Sequence, residues 1–460
     1  MNLTPQQENF ISRFSQGEAL ACRAVAGSGK TTTLVAAFNA SAKPKSRSLV
    51  LAFNKRNAEE LQAKLPAEVT AMTLNALGHR AYVNGTGLRP KLDSRKLWGI
   101  WNEHPQSGKL KKYAEEILDL TRLARIIGLS PGVSGKPGPD YALWEAAADD
   151  MDLDWSDTFA DIAADILGRS TTAALKGTID FDDQLYIPVL FGLPFPKFDR
   201  IAVDEAQDLS LLQHEMVGRA AAAACQMVAI GDPNQAIYAW RGASSNSFYD
   251  LVRKFSLTEA ALTASFRCPR AVVREAQKYV PDIEAAGDFE GSVDFSPTMP
   301  VPALRKAVLS RYNAPLVDYA FRAIRQGVGV DYKGRDFIKN LKKIHQKYPT
   351  PAALAEWLEH EKANKKTEGA RQKAEDKYQS LLSLHANGSN KVEEVIAKLA
   401  ATPQDQAMVL STIHKAKGLE WDDVTFLDYS KLRWEGQEPN CWYVGCTRAK
   451  RALHLHTPAK

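Results

Sequence analysis

Ala24-Val25-Ala26-Gly27-Ser28-Gly29-Lys30-Thr31-Thr32-Thr33 is the stretch that decides the fold. Ahead of it, Leu20-Ala21-Cys22-Arg23-Ala24-Val25 is short and mostly apolar, as a buried strand requires, and behind it Thr32 to Asn39 reads as the opening of a helix. Between strand and helix lies a glycine turn. Gly27 and Gly29 let successive backbone N–H groups converge on an anion, and the helix N-terminus adds its partial positive charge. Lys30 supplies a mobile cation and Thr31 a hydroxyl for a divalent ion. The pattern G-x-x-x-x-G-K-[ST] is met with Ala24 in the place of the first glycine. A Gly/Ser loop with an exposed lysine is the alternative, and the later segments have to decide between them.

Working outward, Ser48-Leu49-Val50-Leu51-Ala52-Phe53 reads as a second buried strand and Asn57 to Leu65 as a helix. A β-α-β-α start implies a parallel sheet. Between about Tyr82 and Gly177 the pattern turns helical around the Pro/Gly-rich stretch Ser130 to Pro139, which suggests an inserted helical subdomain. Strand-like runs resume at Arg200-Ile201-Ala202-Val203 and Gln226 to Ile230. A further group comes at Ala307 to Ser310, then a charged helical tract from Asp336 to about Ala400, then Ala407 to Leu410 and Asp423 to Leu427. Two α/β cores, each interrupted by a helical insertion, is the simplest parse.

At 460 residues the chain exceeds one core, and its apolar and charged fractions are those of a soluble globular protein. It has no run of eighteen or more apolar residues, and its N-terminus lacks a basic region followed by an apolar one, so a cytoplasmic protein is expected. Five widely spread cysteines, with no C-x-x-C pair, indicate neither a zinc site nor a disulfide framework. A net charge of +5 is small for this length, so contact with nucleic acid is expected in a localised groove. Tyr141 to Asp165 carries eight carboxylates and no lysine or arginine, whereas Asp331 to Tyr348 has six basic side chains against two acidic ones. Each run reads equally as a solvated helix face.

Ile201-Ala202-Val203-Asp204-Glu205-Ala206-Gln207-Asp208 ends a strand on two consecutive carboxylates. After a phosphate cradle, Asp204 can face the Mg²⁺ held by Thr31 while Glu205 deprotonates an attacking water. Gly231-Asp232-Pro233-Asn234-Gln235-Ala236-Ile237-Tyr238-Ala239-Trp240-Arg241-Gly242 again comes directly after a strand. A loop joining a polar amide to Tyr238, Trp240 and Arg241 can link a nucleotide sensor to a base-stacking platform.

These two runs resemble motifs II and III of the UvrD/Rep-type superfamily 1 DNA helicases. Other segments stand in that family's order: Leu3-Thr4-Pro5-Gln6-Gln7 is similar to the Q motif, Ala24 to Thr33 to motif I, and Leu51 to Arg56 to motif Ia. Leu262 to Arg267 resembles motif IV, Ser411 to Trp421 motif V, and Tyr443 to Ala449 motif VI. Ala52-Phe53-Asn54-Lys55 and Ser265-Phe266-Arg267 are nearer in wording to the F-box DNA helicase branch, although no F-box is evident.

The resemblance implies two RecA-like P-loop domains with parallel sheets and ATP between them. Core 1A is expected over residues 1–80 and 178–255, with insertion 1B at 81–177; core 2A over 256–335 and 401–460, with a small insertion 2B at 336–400. It further implies that Gln7 and Phe266 hold the adenine, with Phe266 in place of a tyrosine. Ala26, Gly27, Ser28, Gly29, Lys30, Thr31 and Thr32 would hold the phosphates, and Glu420 the ribose. Gln235 would sense the γ-phosphate, Arg267 and Arg448 would act as arginine fingers, and Thr31 and Asp204 would bind Mg²⁺. Phe53, Tyr238 and Trp240 would stack on single-stranded bases, with Asn54, Asn75, Arg241, Thr412 and His414 along the strand.

Thr73-Leu74-Asn75 departs from the usual Thr-Phe-His of motif Ib, and both insertions are short for the family. The expected protein is a monomeric, ATP-dependent DNA helicase moving 3′ to 5′ on single strands and at single-to-double-strand junctions. Replication, repair or recombination proteins are its expected partners, in a bacterial or phage setting. A translocase that clears bound proteins but separates duplex poorly is one alternative. A nucleotide-gated DNA-binding module is another, disfavoured because Lys30, Asp204, Glu205, Gln235, Arg267 and Arg448 are all present. No nuclease-like acidic cluster comes after motif VI, so a fused nuclease is not expected.

Overall fold

The computed structural model describes residues 3–41, 46–132, 138–151, 153–237, 246–299, 306–365, 368–386, 397, 407–429 and 438–457. The chain forms two compact units: Met1–Ala24 with Gly29–Leu262, and Thr263–Lys460 together with Val25–Ser28.

The first unit is built on a six-stranded parallel sheet. Its strands are β1 (Leu20–Ala24), β2 (Ser48–Ala52), β3 (Val69–Thr73), β4 (Phe198–Val203), β5 (Ala221–Gly231) and β6 (Thr258–Leu262), in spatial order β3-β2-β4-β5-β1-β6. Leu49–Ala52 of β2 and Ile201–Val203 of β4 are continuously apolar because helices cover both faces. Successive side chains alternate between those faces. Leu49, Leu51, Ile201, Val203, Met227 and Ala229 pack on one side with Leu77, Met216 and Leu251. Val50, Ala52, Ala202, Val228 and Ile230 pack on the other with Phe10, Phe14, Leu34, Phe38 and Leu61. The covering helices are α1 (Pro5–Ser15), α2 (Lys30–Ala40) and α3 (Lys55–Gln62) on the second side; α4 (Leu74–Thr86) lies on the first, as do helices Leu211–Ala220 and Ser247–Phe255. Strand β6 pairs with β1 from Leu20↔Thr258 to Ala24↔Leu262, so the first sheet runs on past the boundary expected at residue 255.

Between β3 and β4, helices α5 (Lys96–Glu103), α6 (Ala114–Ile126), α7 (Tyr141–Asp150) and α8 (Asp157–Leu175) pack around Trp101, Ile117, Leu123, Trp144 and Ile166. Trp144 donates its indole N–H to Leu120 O at 3.0 Å. The acidic run is the solvated face of α7 and α8: Glu145, Asp149, Asp157, Asp161 and Asp165 are exposed, and Asp165 meets Arg169 at 2.7 Å and His104 at 3.2 Å. Where the chain returns to the sheet there is a buried charge group. Lys96 Nζ lies 2.5 Å from Asp183 Oδ2, and Arg125 Nη1 donates to both oxygens of Asp180 at 2.8 Å.

The second unit carries its own six-stranded parallel sheet. Strands β7 (Ser292–Ser296), β8 (Ala307–Ser310), β9 (Val330–Lys333), β10 (Met408–Thr412), β11 (Trp421–Phe426) and β12 (Ala449–His456) lie in the order β7-β12-β11-β8-β10-β9. The described part of the charged tract 336–400 holds three helices, Arg335–Lys347, Pro351–Asn364 and Glu368–Ala386. Lys339, Lys342, Lys343 and Lys347 are exposed on the first of these helices, while Ile338 and Leu341 face the core. Among the described residues no helix is long and apolar enough to cross a membrane.

Candidate nucleotide site

Strands β1, β5 and β4 are neighbours, so the loops leaving their C-terminal ends gather at one edge of the sheet. This edge is where open parallel sheets bind ligands. After β1, Gly27 and Gly29 take φ of 74° and 78°, the left-handed region that glycine adopts without penalty. Helix α2 then starts at Lys30 with no side-chain cap, so its first N–H groups depend on another acceptor. Thr31 and Thr32 occupy its first turn; Thr31 is exposed.

Gln7 lies beneath this turn. It closes a capping box on α1 with Thr4: Thr4 N donates to Gln7 Oε1 at 3.0 Å, and Gln7 N to Thr4 Oγ1 at 3.2 Å. Gln7 Nε2 donates to Thr33 Oγ1 at 3.0 Å, and that hydroxyl donates to Gly29 O at 3.0 Å. Its carboxamide therefore braces the cradle helix as well as the chain entry.

At the end of β4, Asp204 continues the ladder by donating its N–H to Leu51 O at 2.9 Å, and the residue is 5% exposed. Glu205 comes next with φ 52° and ψ 44°, a left-handed conformation costly for a residue with a Cβ. Glu205 N donates to Asp204 Oδ1 at 3.0 Å, and Asp208 N to Glu205 O at 3.0 Å, which hold that turn. Burial, then the adjacent Glu205, pushes the Asp204 carboxyl up to about 7, against the pull of Lys30. Lys30 Nζ lies 4.0 Å from Glu205 Oε1. A buried carboxylate beside a second one, with a hydroxyl on the neighbouring helix turn, is a hard-oxygen donor set that suits Mg²⁺.

After β5, Asp232 and Gln235 are both buried, and Gln235 Nε2 donates to Asp232 Oδ2 at 2.6 Å. The structure thus assembles Lys30, Thr31, Asp204, Glu205 and Gln235 within the first unit. It adds Gln207, which sequence reasoning misses. The Gln207 carboxamide joins Glu205 to Asp232.

Ala26, Gly27, Ser28, Phe266, Arg267, Glu420 and Arg448 lie in the second unit. Ala26 N donates to Tyr443 Oη at 2.9 Å, Ser265 Oγ to Ala26 O at 2.7 Å and Phe266 N to Gly27 O at 2.9 Å. Ser28 is buried. Phe266 is 50% exposed, as a stacking surface has to be. Arg267 Nε donates to Glu420 Oε2 at 2.6 Å, so the expected finger and the expected ribose ligand form an ion pair. Arg448 is buried and donates to Val444 O at 2.9 Å, Leu419 O at 3.2 Å and Thr447 Oγ1 at 3.1 Å.

Of the residues expected along a DNA strand, Phe53 is 43% exposed, and Asn54 accepts from Asn57 N at 2.9 Å as the N-cap of α3. Asn75 Nδ2 donates to Phe181 O at 2.7 Å, and Phe181 is itself 54% exposed. Phe181 stands as an apolar ring inside Asp180-Phe181-Asp182-Asp183. Thr412 precedes helix Ile413–Ala416, and His414 Nε2 lies 3.9 Å from Cys441 Sγ. Tyr238, Trp240 and Arg241 lie outside the described residues.

Residues 7–241, just over half of the chain, match the family described as AAA domain, and residues 407–456 match the UvrD-like helicase C-terminal domain. The chain is 23% identical to F-box DNA helicase protein 1 of Schizosaccharomyces pombe, over 99% of this chain and 57% of that protein. It is 27% identical to a protein of Mycoplasma pneumoniae named "Probable DNA helicase", over 55% of this chain and 42% of that one. It is 25% identical to ATP-dependent DNA helicase PcrA of Bacillus subtilis, over 27% of this chain and 17% of PcrA. The chain spans about half the length of the first two relatives. With one family matched on the phosphate cradle and the paired carboxylates and the other on the closing strands of the second unit, the chain belongs to the UvrD-like superfamily 1 helicases.

Proposed function

We propose that the chain hydrolyses ATP to drive movement along single-stranded DNA, as a DNA helicase. The observation that carries this reading is the placing of Asp204 and Glu205 at a strand end against Lys30 of the cradle helix, with Gln235 on the next strand's loop. Bound Mg²⁺ would neutralise charge on the β- and γ-phosphates, with Thr31 and Asp204 holding it. Lys30 and the N–H groups of α2 orient the phosphates. Glu205 orients the attacking water and takes its proton. Arg267 and Arg448 supply planar cations for the charge spread over the transferring phosphoryl group, with Arg267 exchanging Glu420 for phosphate.

The exposed rings of Phe53 and Phe181 offer faces to unstacked bases of any sequence, and Asn75 holds the Phe181 backbone by donating to its carbonyl. By the family resemblance, Tyr238, Trp240, Arg241, Thr412 and His414 are further residues for the strand, with 3′ to 5′ polarity. The short second insertion favours movement on a single strand over unaided opening of long duplex. ATPase assays with and without single-stranded DNA, and strand displacement on forked against blunt duplex, test the reading. Stimulation by single strands and displacement from the fork are expected. An ATPase indifferent to DNA would overturn it.

A further inference from the structure

Gln207 lies inside the acidic turn, yet neither the phosphate cradle nor a metal site needs it. The residue is 1% exposed and uses both ends of its carboxamide. Nε2 donates to Glu205 Oε2 at 2.6 Å, and Oε1 accepts from Asp232 N at 2.9 Å. The β5 end is shaped for this. A Cβ on Gly231 would stand 2.3 Å from Gln207 Oε1, so a side chain there would expel the amide oxygen. Asp232 is in turn fixed by its own carboxylate, which accepts from Asn234 N at 3.1 Å and from Gln235 Nε2 at 2.6 Å. A continuous path therefore runs Glu205, Gln207, Asp232, Gln235.

We propose that Gln207 is a positioning residue that ties the setting of Glu205 to the state of the loop starting at Asp232. The inference rests on the reading of Glu205 as the general base and of that loop as responsive to DNA. The chemistry limits which side chain can serve. The bridge needs a donor for a carboxylate and an acceptor for a backbone N–H at one reach, which is what a carboxamide offers. Glutamate would keep the acceptor for Asp232 N and set a second carboxylate against Glu205. Methionine keeps the length and does neither. Glu205 is also the residue whose backbone is strained, so its side chain is set by imposed contacts rather than by a relaxed turn. Small displacements matter here, since about 1 Å at a reacting group can cost about a hundredfold in rate.

The test compares Gln207→Met, Gln207→Glu and Glu205→Gln in the full chain. Each is measured for kcat and KM for ATP, for the ratio of DNA-stimulated to DNA-free rate, and for melting temperature. Both Gln207 variants are expected to keep KM within about two-fold while the DNA-stimulated kcat falls by about ten-fold or more, so that the stimulation ratio collapses. Unchanged kcat and stimulation in Gln207→Met, with Glu205→Gln inactive, would overturn the role of Gln207 and leave Glu205 as the base. Normal stimulation in Gln207→Glu alone would also overturn it, since the Asp232 tie would then suffice without the donor to Glu205. A fall in melting temperature with a rise in KM and an intact stimulation ratio would make Gln207 structural. Wild-type turnover in Glu205→Gln would instead sink the reading of the base, whatever the Gln207 variants do.

Discussion

Glu205 is held by its neighbours in a backbone conformation it would not choose, with its carboxylate 4.0 Å from Lys30. If it is the base, Glu205→Gln keeps shape and nucleotide binding while kcat drops by about two orders of magnitude or more. Turnover within a few-fold of wild type would assign proton transfer elsewhere. Lys30 and Arg448 should separate in the same way. Lys30→Ala is expected to lose both nucleotide affinity and turnover, whereas Arg448→Ala should lose turnover and keep more of the affinity, measured with a fluorescent nucleotide. Equal losses of affinity would make Arg448 a packing residue, consistent with its backbone partners. His214 reports on the same turn from behind. Its ring lies 2.9 Å from Ser247 Oγ, and that hydroxyl donates to Ala206 O at 2.8 Å. Burial pushes the His214 imidazole down to about 4, so the unfolded chain takes up its proton first. The stabilisation is complete above about pH 6.5 and is lost as pH falls from there towards 4, at about 1.4 kcal/mol per pH unit. Thermal melts at pH 7, 6 and 5 should show that slope in the wild type and a shallower one in His214→Gln.

At the scale of elements, the strands that stand out in the sequence are those with unbroken apolar runs, and strands interleaved with polar residues do not. Every residue of β2 is buried, and so is nearly all of β4; both stand out as apolar runs. Strands β3, β6 and β7 at the rims of their sheets carry intermediate or exposed positions, β9 is mostly buried but carries Asp331 and Lys333, and β12 alternates apolar with polar residues; the linear pattern anticipates none of them. An edge strand is recognised by its partner, which a linear pattern does not contain. The candidate site divides in the same way. Lys30, Asp204 and Glu205 are legible because they come just after apolar runs, whereas the role of Gln207 depends on the missing Cβ of Gly231, twenty-four residues further on. The capping box of α1 is visible in the sequence only as part of a family motif, and it carries energy of its own. Thr4→Ala should cost about 1 kcal/mol, read as a lower urea midpoint, and should loosen Gln7 from Thr33. An unchanged midpoint would mean that helix packing alone sets the entry of the chain.

For the whole molecule, both parallel sheets and both helical tracts are legible in the sequence, while the grouping of Val25–Ser28 with the second unit is not, because local pattern places those residues between β1 and α2. Nor can a linear reading find the charge group of Lys96, Arg125, Asp180 and Asp183, whose members sit eighty-seven residues apart at the extremes. Removing one partner of a buried ion pair is far more costly than replacing both. Arg125→Met should therefore destabilise the protein by about 3–5 kcal/mol in urea unfolding, and a loss below about 1 kcal/mol would show that water reaches these carboxylates. The two cations belong to the helical insertion, while the carboxylates lie just beyond it in the chain at 180–183. The insertion is consequently no detachable cassette: a shortened chain made by excising residues 81–177 would be left with Asp180 and Asp183 orphaned, and any graft from a relative must bring its own pair of cations to that seam or arrive with both acids already exchanged.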